Sequence, residues 1–111
     1  MVKPGAARRF DVYLLPLDPT MRREIRKLRP YVVVSPDEMN QHIRTVLVAP
    51  LTSKGTPYPT RVASRFGGRV GQVLLDQLQA VDVQRLTKRS GTLSPSTQTA
   101  VLATLGEMRA P

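Results

Sequence analysis

With 111 residues, the chain has room for one modest hydrophobic core and not for two. It has no cysteine and a single histidine, His42, which excludes a disulfide framework, thiolate redox chemistry and a metal centre built from Cys and His. Seventeen Lys and Arg against eight Asp and Glu give a formal net charge of +9, and such an excess calls for a polyanionic partner, either a nucleic acid or an acidic protein segment.

Residues 1–8 hold Pro, Gly and Ala without a pattern and read as a flexible leader, so a single domain is expected over 9–111. Phe10-Asp11-Val12-Tyr13-Leu14-Leu15 is rich in strand formers, and Pro16 with Asp18-Pro19-Thr20 closes this first strand with turn chemistry. The segment to Leu28 is basic, short and lacks an apolar face, so it reads as an excursion between strands. Tyr31-Val32-Val33-Val34-Ser35 is a continuous apolar run of strand length, stopped by Pro36. One helical turn over Asp37 to Gln41 and a third strand over Arg44 to Ala49 follow. Thr52 to Pro59 has the composition of a surface loop. Thr60 to Ser64 and Val70 to Leu75 flank Gly67-Gly68, a hairpin signal, and Gln79 to Val83 adds a short strand. Ser94-Pro95 starts a helix, with Ser as N-cap and Pro at the first helical position. Val101, Leu102, Leu105 and Met108 recur on one of its faces, read as core or dimer packing. Short strands followed by one terminal helix predict a mainly β (α+β) domain, a small antiparallel barrel or strongly bent sheet with a C-terminal α-helix.

Charge is unevenly spread along this plan. Arg22, Arg23, Arg26, Lys27 and Arg29 crowd around one carboxylate, Glu24, while the flanking strands are nearly uncharged. Arg29 stands at the entrance of one apolar strand and Thr52 at the exit of another. A fixed guanidinium beside a hydroxyl, in a basic protein without metal-ligating clusters, suits phosphodiester chemistry done by positioning and charge. No apolar run approaches a bilayer span, and no apolar signal core follows Lys3, so the expected setting is the cytoplasm, off the membrane.

Asp11-Val12-Tyr13, Leu17-Asp18-Pro19, Arg29-Pro30-Tyr31-Val32-Val33-Val34-Ser35, Asn40, Val48-Ala49-Pro50-Leu51-Thr52-Ser53, Tyr58-Pro59-Thr60 and Gly71-Gln72-Val73-Leu74-Leu75-Asp76-Gln77 occur in this order. The set resembles the MazF, PemK and Kid group of toxin endoribonucleases from bacterial toxin-antitoxin systems. That resemblance implies an SH3-like antiparallel β-barrel with a C-terminal helix, of the PemK type and usually homodimeric. It also implies sequence-selective cleavage of single-stranded RNA, messenger RNA above all, with no metal and no cofactor, and so inhibition of translation and growth. A cognate antitoxin, presenting an acidic and partly disordered segment, is the implied inhibitor.

Carried over by resemblance, cleavage falls on Arg29 and Thr52: the substrate's own 2′-hydroxyl attacks phosphorus, leaving a cyclic phosphate and a 5′-hydroxyl end. Arginine stays protonated, so the candidate bases are Glu24 and Asp76. Arg22, Arg23, Arg26, Lys27, Ser53, Lys54 and Gln77 are the candidate RNA contacts. The chain departs from the family pattern in two places: Phe10 stands where a glycine usually precedes the first strand's aspartate, and arginines replace glycines in the basic loop. Two other functions share the fold, a gyrase-poisoning toxin that binds a protein and a noncatalytic RNA-binding barrel. The first depends on a C-terminal tryptophan, and this chain has no tryptophan.

Overall fold

The computed structural model of the protein describes residues 7–16, 28–53, 58–66 and 69–109. Arg22, Arg23, Glu24, Arg26, Lys27 and Lys54 lie outside the described residues. Seven strands are found among the described residues: β1 (Asp11–Pro16), β2 (Leu28–Val33), β3 (Thr45–Thr52), β4 (Arg61–Phe66), β5 (Arg69–Leu74), β6 (Gln79–Asp82) and β7 (Lys88–Thr92). A short helix α1 (Asp37–His42) links β2 to β3, and α2 (Pro95–Arg109) ends the chain. The strands run in the order β4-β5-β3-β2-β1-β7, with β6 also paired to β3, and every described pairing is antiparallel. The sheet curls into a half-barrel with the C-terminal helix packed against β4. No helix among the described residues is long and apolar enough to cross a membrane.

The unbroken apolar runs of β2 and β3 follow from burial on both sheet faces, since successive side chains on a strand point to opposite sides. Val32, Val34, Ala49 and Leu51 enter one cluster with Phe10, Val12, Val62, Val73, Leu75, Leu93 and Val101. Tyr31, Val33, Val46 and Val48 enter a second with Tyr13, Leu15, Val81, Val83 and Leu86. Ala7, within the expected leader, is buried in this second cluster.

β2 and β3 extend beyond the sequence reading, and β7 has no counterpart in it. β2 begins at Leu28 rather than Tyr31, because Leu28, Arg29 and Pro30 pair with Pro16, Leu15 and Leu14, so Arg29 belongs to the strand itself. β3 runs through Pro50 to Thr52. Proline has no N–H for a ladder, and Pro50 stands where β3 changes partner, between its pairing with β6 over Thr45–Val48 and with β5 over Leu51–Thr52. β7 had no apolar pattern to announce it; its residues are mostly exposed, and it exists because β1 has an edge left to pair.

Phe10 adopts φ +75°, the left-handed region in which glycine is at ease and an L side chain is strained. The turn preceding β1 thus keeps a glycine-like path although the residue is phenylalanine. Its backbone explains why. The Phe10 N–H donates to the Val33 carbonyl at 2.7 Å, and its carbonyl accepts from Leu93 N–H at 3.0 Å and from the Thr92 hydroxyl at 3.1 Å. The ring, 7% exposed, offsets the strain by burial in the first cluster.

At the other end of β2, Ser35 and Asn40 are both buried and mutually satisfied. The Ser35 hydroxyl donates to Asn40 Oδ1 at 2.5 Å and accepts from Leu47 N–H, while Asn40 Nδ2 donates to the Ser35 carbonyl. This clip sets the path from β2 through α1 into β3. Helix α2 starts as read, with the Ser94 hydroxyl accepting from Thr97 N–H at 3.4 Å. Its packed face is Thr97, Ala100, Val101 and Leu105, whereas Leu102 and Met108, expected on that face, are 43% and 41% exposed. Leu102 is about 100° around the helix from Val101, and Met108 lies in the last turns of the helix.

Candidate active site

Strands β2 and β3 pair Tyr31 with Pro50, Val32 with Ala49 and Val33 with Val48. Residues opposite each other in an antiparallel pair share a sheet face. Continuing this frame by two residues sets Arg29 opposite Thr52, on the face that carries Tyr31, Val33, Val46 and Val48. There the buried cluster gives way to solvent: Arg29 and Ser53 are exposed and Thr52 is half-buried. A planar cation and a hydroxyl are thus brought to one surface by two rigid strands.

On the other side of β3, Thr52 pairs with Gln72 of β5, and Gln72 pairs with Ala63 of β4. Gln72, half-buried, therefore joins Thr52 on the same face. Sequence reasoning singled out Gln77 and not Gln72; the signal for Gln72 lay in the β4–β5 pairing, whose register had to be carried on into β3. Gly71 makes this approach close. A Cβ on Gly71 would overlap the Thr52 carbonyl oxygen and lie 3.3 Å from the Ser53 Cα, so β5 can run this near Thr52 only with glycine there.

Asp76 and Gln77 sit beyond the end of β5 in a 3₁₀ turn, Leu75–Gln77. β3 and β5 run antiparallel, so this turn lies toward the end of the ladder away from Thr52, four residues past Gln72. Both side chains are exposed. Asp76 is engaged by a guanidinium fork: Arg61 Nε donates to Oδ1 at 3.2 Å and Nη2 to Oδ2 at 3.3 Å, with the Thr60 hydroxyl donating to Oδ1 at 3.3 Å. The Arg61 hydrogen bonds hold the Asp76 carboxyl below the usual aspartate range, which makes it a weaker proton acceptor. The register sets Gln72 beside Thr52, and the β2–β3 frame, continued past its last pair, directs Arg29 toward the same edge, whereas Asp76 and Gln77 sit in the turn beyond β5, where Asp76 holds Arg61. His42 is exposed at the end of α1. Among the described residues, no three His, Asp or Glu side chains come together as metal ligands.

Comparison with known proteins follows the same lines. The family of PemK-like, MazF-like toxins of type II toxin-antitoxin systems matches residues 8–108. The endoribonuclease EndoA of Bacillus subtilis (strain 168) is 35% identical over 88 residues, covering 74% of this chain and 76% of the relative. Among solved structures, a mycobacterial endoribonuclease in complex with its cognate antitoxin superposes with a TM-score of 0.79 at 24% identity, covering 96% of this chain and 98% of that one. A MazE–MazF complex from Deinococcus radiodurans gives 0.71 at 22% identity, covering 91% and 92%. These structures share the fold, a curled antiparallel sheet with a C-terminal helix. The chain belongs to the PemK-like, MazF-like toxin family of type II toxin-antitoxin systems. Within that family it is an endoribonuclease toxin.

Proposed function

We infer that the protein cleaves single-stranded RNA, messenger RNA in the first place, at the surface shared by Arg29 and Thr52, without a metal ion, by attack of the substrate's own 2′-hydroxyl on the adjacent phosphorus. The observation that carries this reading is the β2–β3 register, Tyr31 with Pro50 and Val33 with Val48, which, continued by two residues, sets Arg29 opposite Thr52. In-line attack places extra charge on the phosphorane oxygens, and the planar fork of Arg29 suits two of them while the Thr52 hydroxyl donates to one. Bond-making at phosphorus expels the 5′-oxygen of the next nucleotide, leaving a 2′,3′-cyclic phosphate and a 5′-hydroxyl. Glu24 is assigned the proton from the 2′-hydroxyl, since Asp76 is committed to Arg61.

Arg22, Arg23, Arg26, Lys27 and Lys54 extend the phosphate path, with Ser53 and Gln77 as further RNA contacts. In this reading the protein works in the cytoplasm as a homodimer, and a cognate antitoxin silences it by laying an acidic segment along the same basic surface. Support comes from the net charge of +9 and from the antitoxin complexes of similar structures. The test is cleavage of matched RNA and all-deoxy oligonucleotides in a chelator. RNA cut to cyclic-phosphate ends with DNA left intact is the expected result; equal cutting of both, or an absolute need for added magnesium, overturns the mechanism.

A further inference from the structure

Tyr58 precedes β4 and is 54% exposed, one of the large apolar groups left at the surface among the described residues. It does not hang loose. The Arg61 guanidinium lies over its ring, 4.6 Å from Cζ to centroid, and the Arg61 N–H donates to the Tyr58 carbonyl at 2.9 Å. Asp76 then holds that guanidinium by both carboxylate oxygens. Side chain and backbone together back one face of the ring with a fixed, flat cation and leave more than half of the residue open to solvent.

The position matters as much as the build. Arg61 pairs with Leu74, and Ala63, two residues on, shares a row with Gln72 and Thr52. Residues two apart on a strand face the same way, so Arg61 lies on the sheet face that carries Thr52. Two strand spacings across and two residues along put their Cα atoms roughly 12 Å apart.

We propose that Tyr58, backed by Arg61 and Asp76, is a stacking subsite for one unpaired RNA base flanking the cleaved phosphate. The inference rests on the RNA-cleaving reading above and adds a substrate contact to it. The chemistry favours a base over an acidic peptide. Arg61 already has its counter-ion in Asp76, so the surface offers a π face and little uncompensated positive charge. A stacked base needs the π face and no hydrogen-bond readout. The subsite therefore holds the strand in line with the cut while tolerating any base.

The experiment measures affinity for a short single-stranded RNA that spans a cut site mapped with the wild type and carries a 2′-deoxy residue at the cut. Each flanking position is made abasic in turn, and each RNA is titrated with wild type, Tyr58→Ala and Tyr58→Phe. One flanking position should cost the wild type about tenfold in affinity when abasic, the scale of one base–aromatic stack. Tyr58→Ala should bind the intact RNA about tenfold more weakly and lose no more at that position, while Tyr58→Phe keeps both the affinity and the abasic penalty. Unchanged RNA affinity of Tyr58→Ala, with wild-type cleavage intact, overturns the subsite alone, as does weakened antitoxin binding without an RNA defect. A wild type that neither binds nor cuts RNA overturns the subsite together with the reading beneath it.

Discussion

Gly71 of β5 passes so close to Thr52 of β3 that the smallest side chain placed on it would overlap the Thr52 carbonyl oxygen. The contact is between two backbones, and neither can rotate away as a side chain does. Gly71→Ala must therefore push β5 off β3 at the row that holds Thr52 and Gln72. Overpacking of this kind destabilises by about 1–3 kcal/mol. We expect a folded variant with a lowered urea midpoint and a cleavage rate reduced beyond what the unfolded fraction explains. A variant with both quantities unchanged shows that the β3–β5 approach is not needed for the site.

Arg29→Ala should lower the rate of RNA cleavage by about 10²–10³-fold, the range for removal of one preorganised charge-stabilising donor, with the urea midpoint nearly unchanged because Arg29 is exposed. Arg29→Lys should recover only part of the rate, since a point charge does not reproduce the planar fork. Thr52→Ala should slow cleavage about tenfold or more. Single-turnover rates with saturating protein check all three.

The pair of Asp76 with Arg61 predicts a pH dependence with a definite sign. Its carboxyl is held below its ordinary value of 3.8 in the folded protein. The stabilisation is therefore fully present above that unfolded value and is lost as pH falls through the lower folded one. Wild type should lose more stability than Asp76→Asn on acidification below about pH 4, and the two should run parallel above it. Urea titrations at a series of pH values measure the difference; parallel curves through the acid range would remove the ion pair from the account.

Phe10 allows a test in which alanine is worse than glycine. Truncating the buried ring loses about 3–5 kcal/mol, and glycine recovers roughly 1–2 kcal/mol of the left-handed strain at φ +75°. Phe10→Gly should therefore be less stable than wild type and more stable than Phe10→Ala. The order of the three urea midpoints decides it, and a Phe10→Ala protein above Phe10→Gly would show that the turn has changed its path.

What the sequence determined by itself is what short-range chemistry determines. β1, the β4–β5 pairing, β6, the single turn α1 and the Ser94-Pro95 start of α2 all come from residues within a few positions of one another, and all were legible. So was the mainly β class, and so was the family, whose motifs run in order along the chain. Arg29 and Thr52 stood out in the sequence as site candidates, but the strand frame that directs them toward one another was not legible there. That frame depends on ladder bonds between β2 and β3, and register is a relation between segments that no local pattern carries. β7, with its polar Lys-Arg-Ser-Gly-Thr, forms because β1 leaves an edge open to residues far along the chain. Asp76 reads as an available carboxylate until the fold closes Arg61, 15 residues away, onto it, and Gln72 reads as an ordinary strand residue until β5 lies beside Thr52. Leu102 and Met108 read as one apolar face with Val101 and Leu105, for core or dimer packing, and only the docked helix separates the two that stay exposed from the two that pack on the sheet. Which groups meet, and so which acid keeps its charge and which hydroxyl has a neighbour, follows from the geometry of strands adjacent in space and distant in the chain.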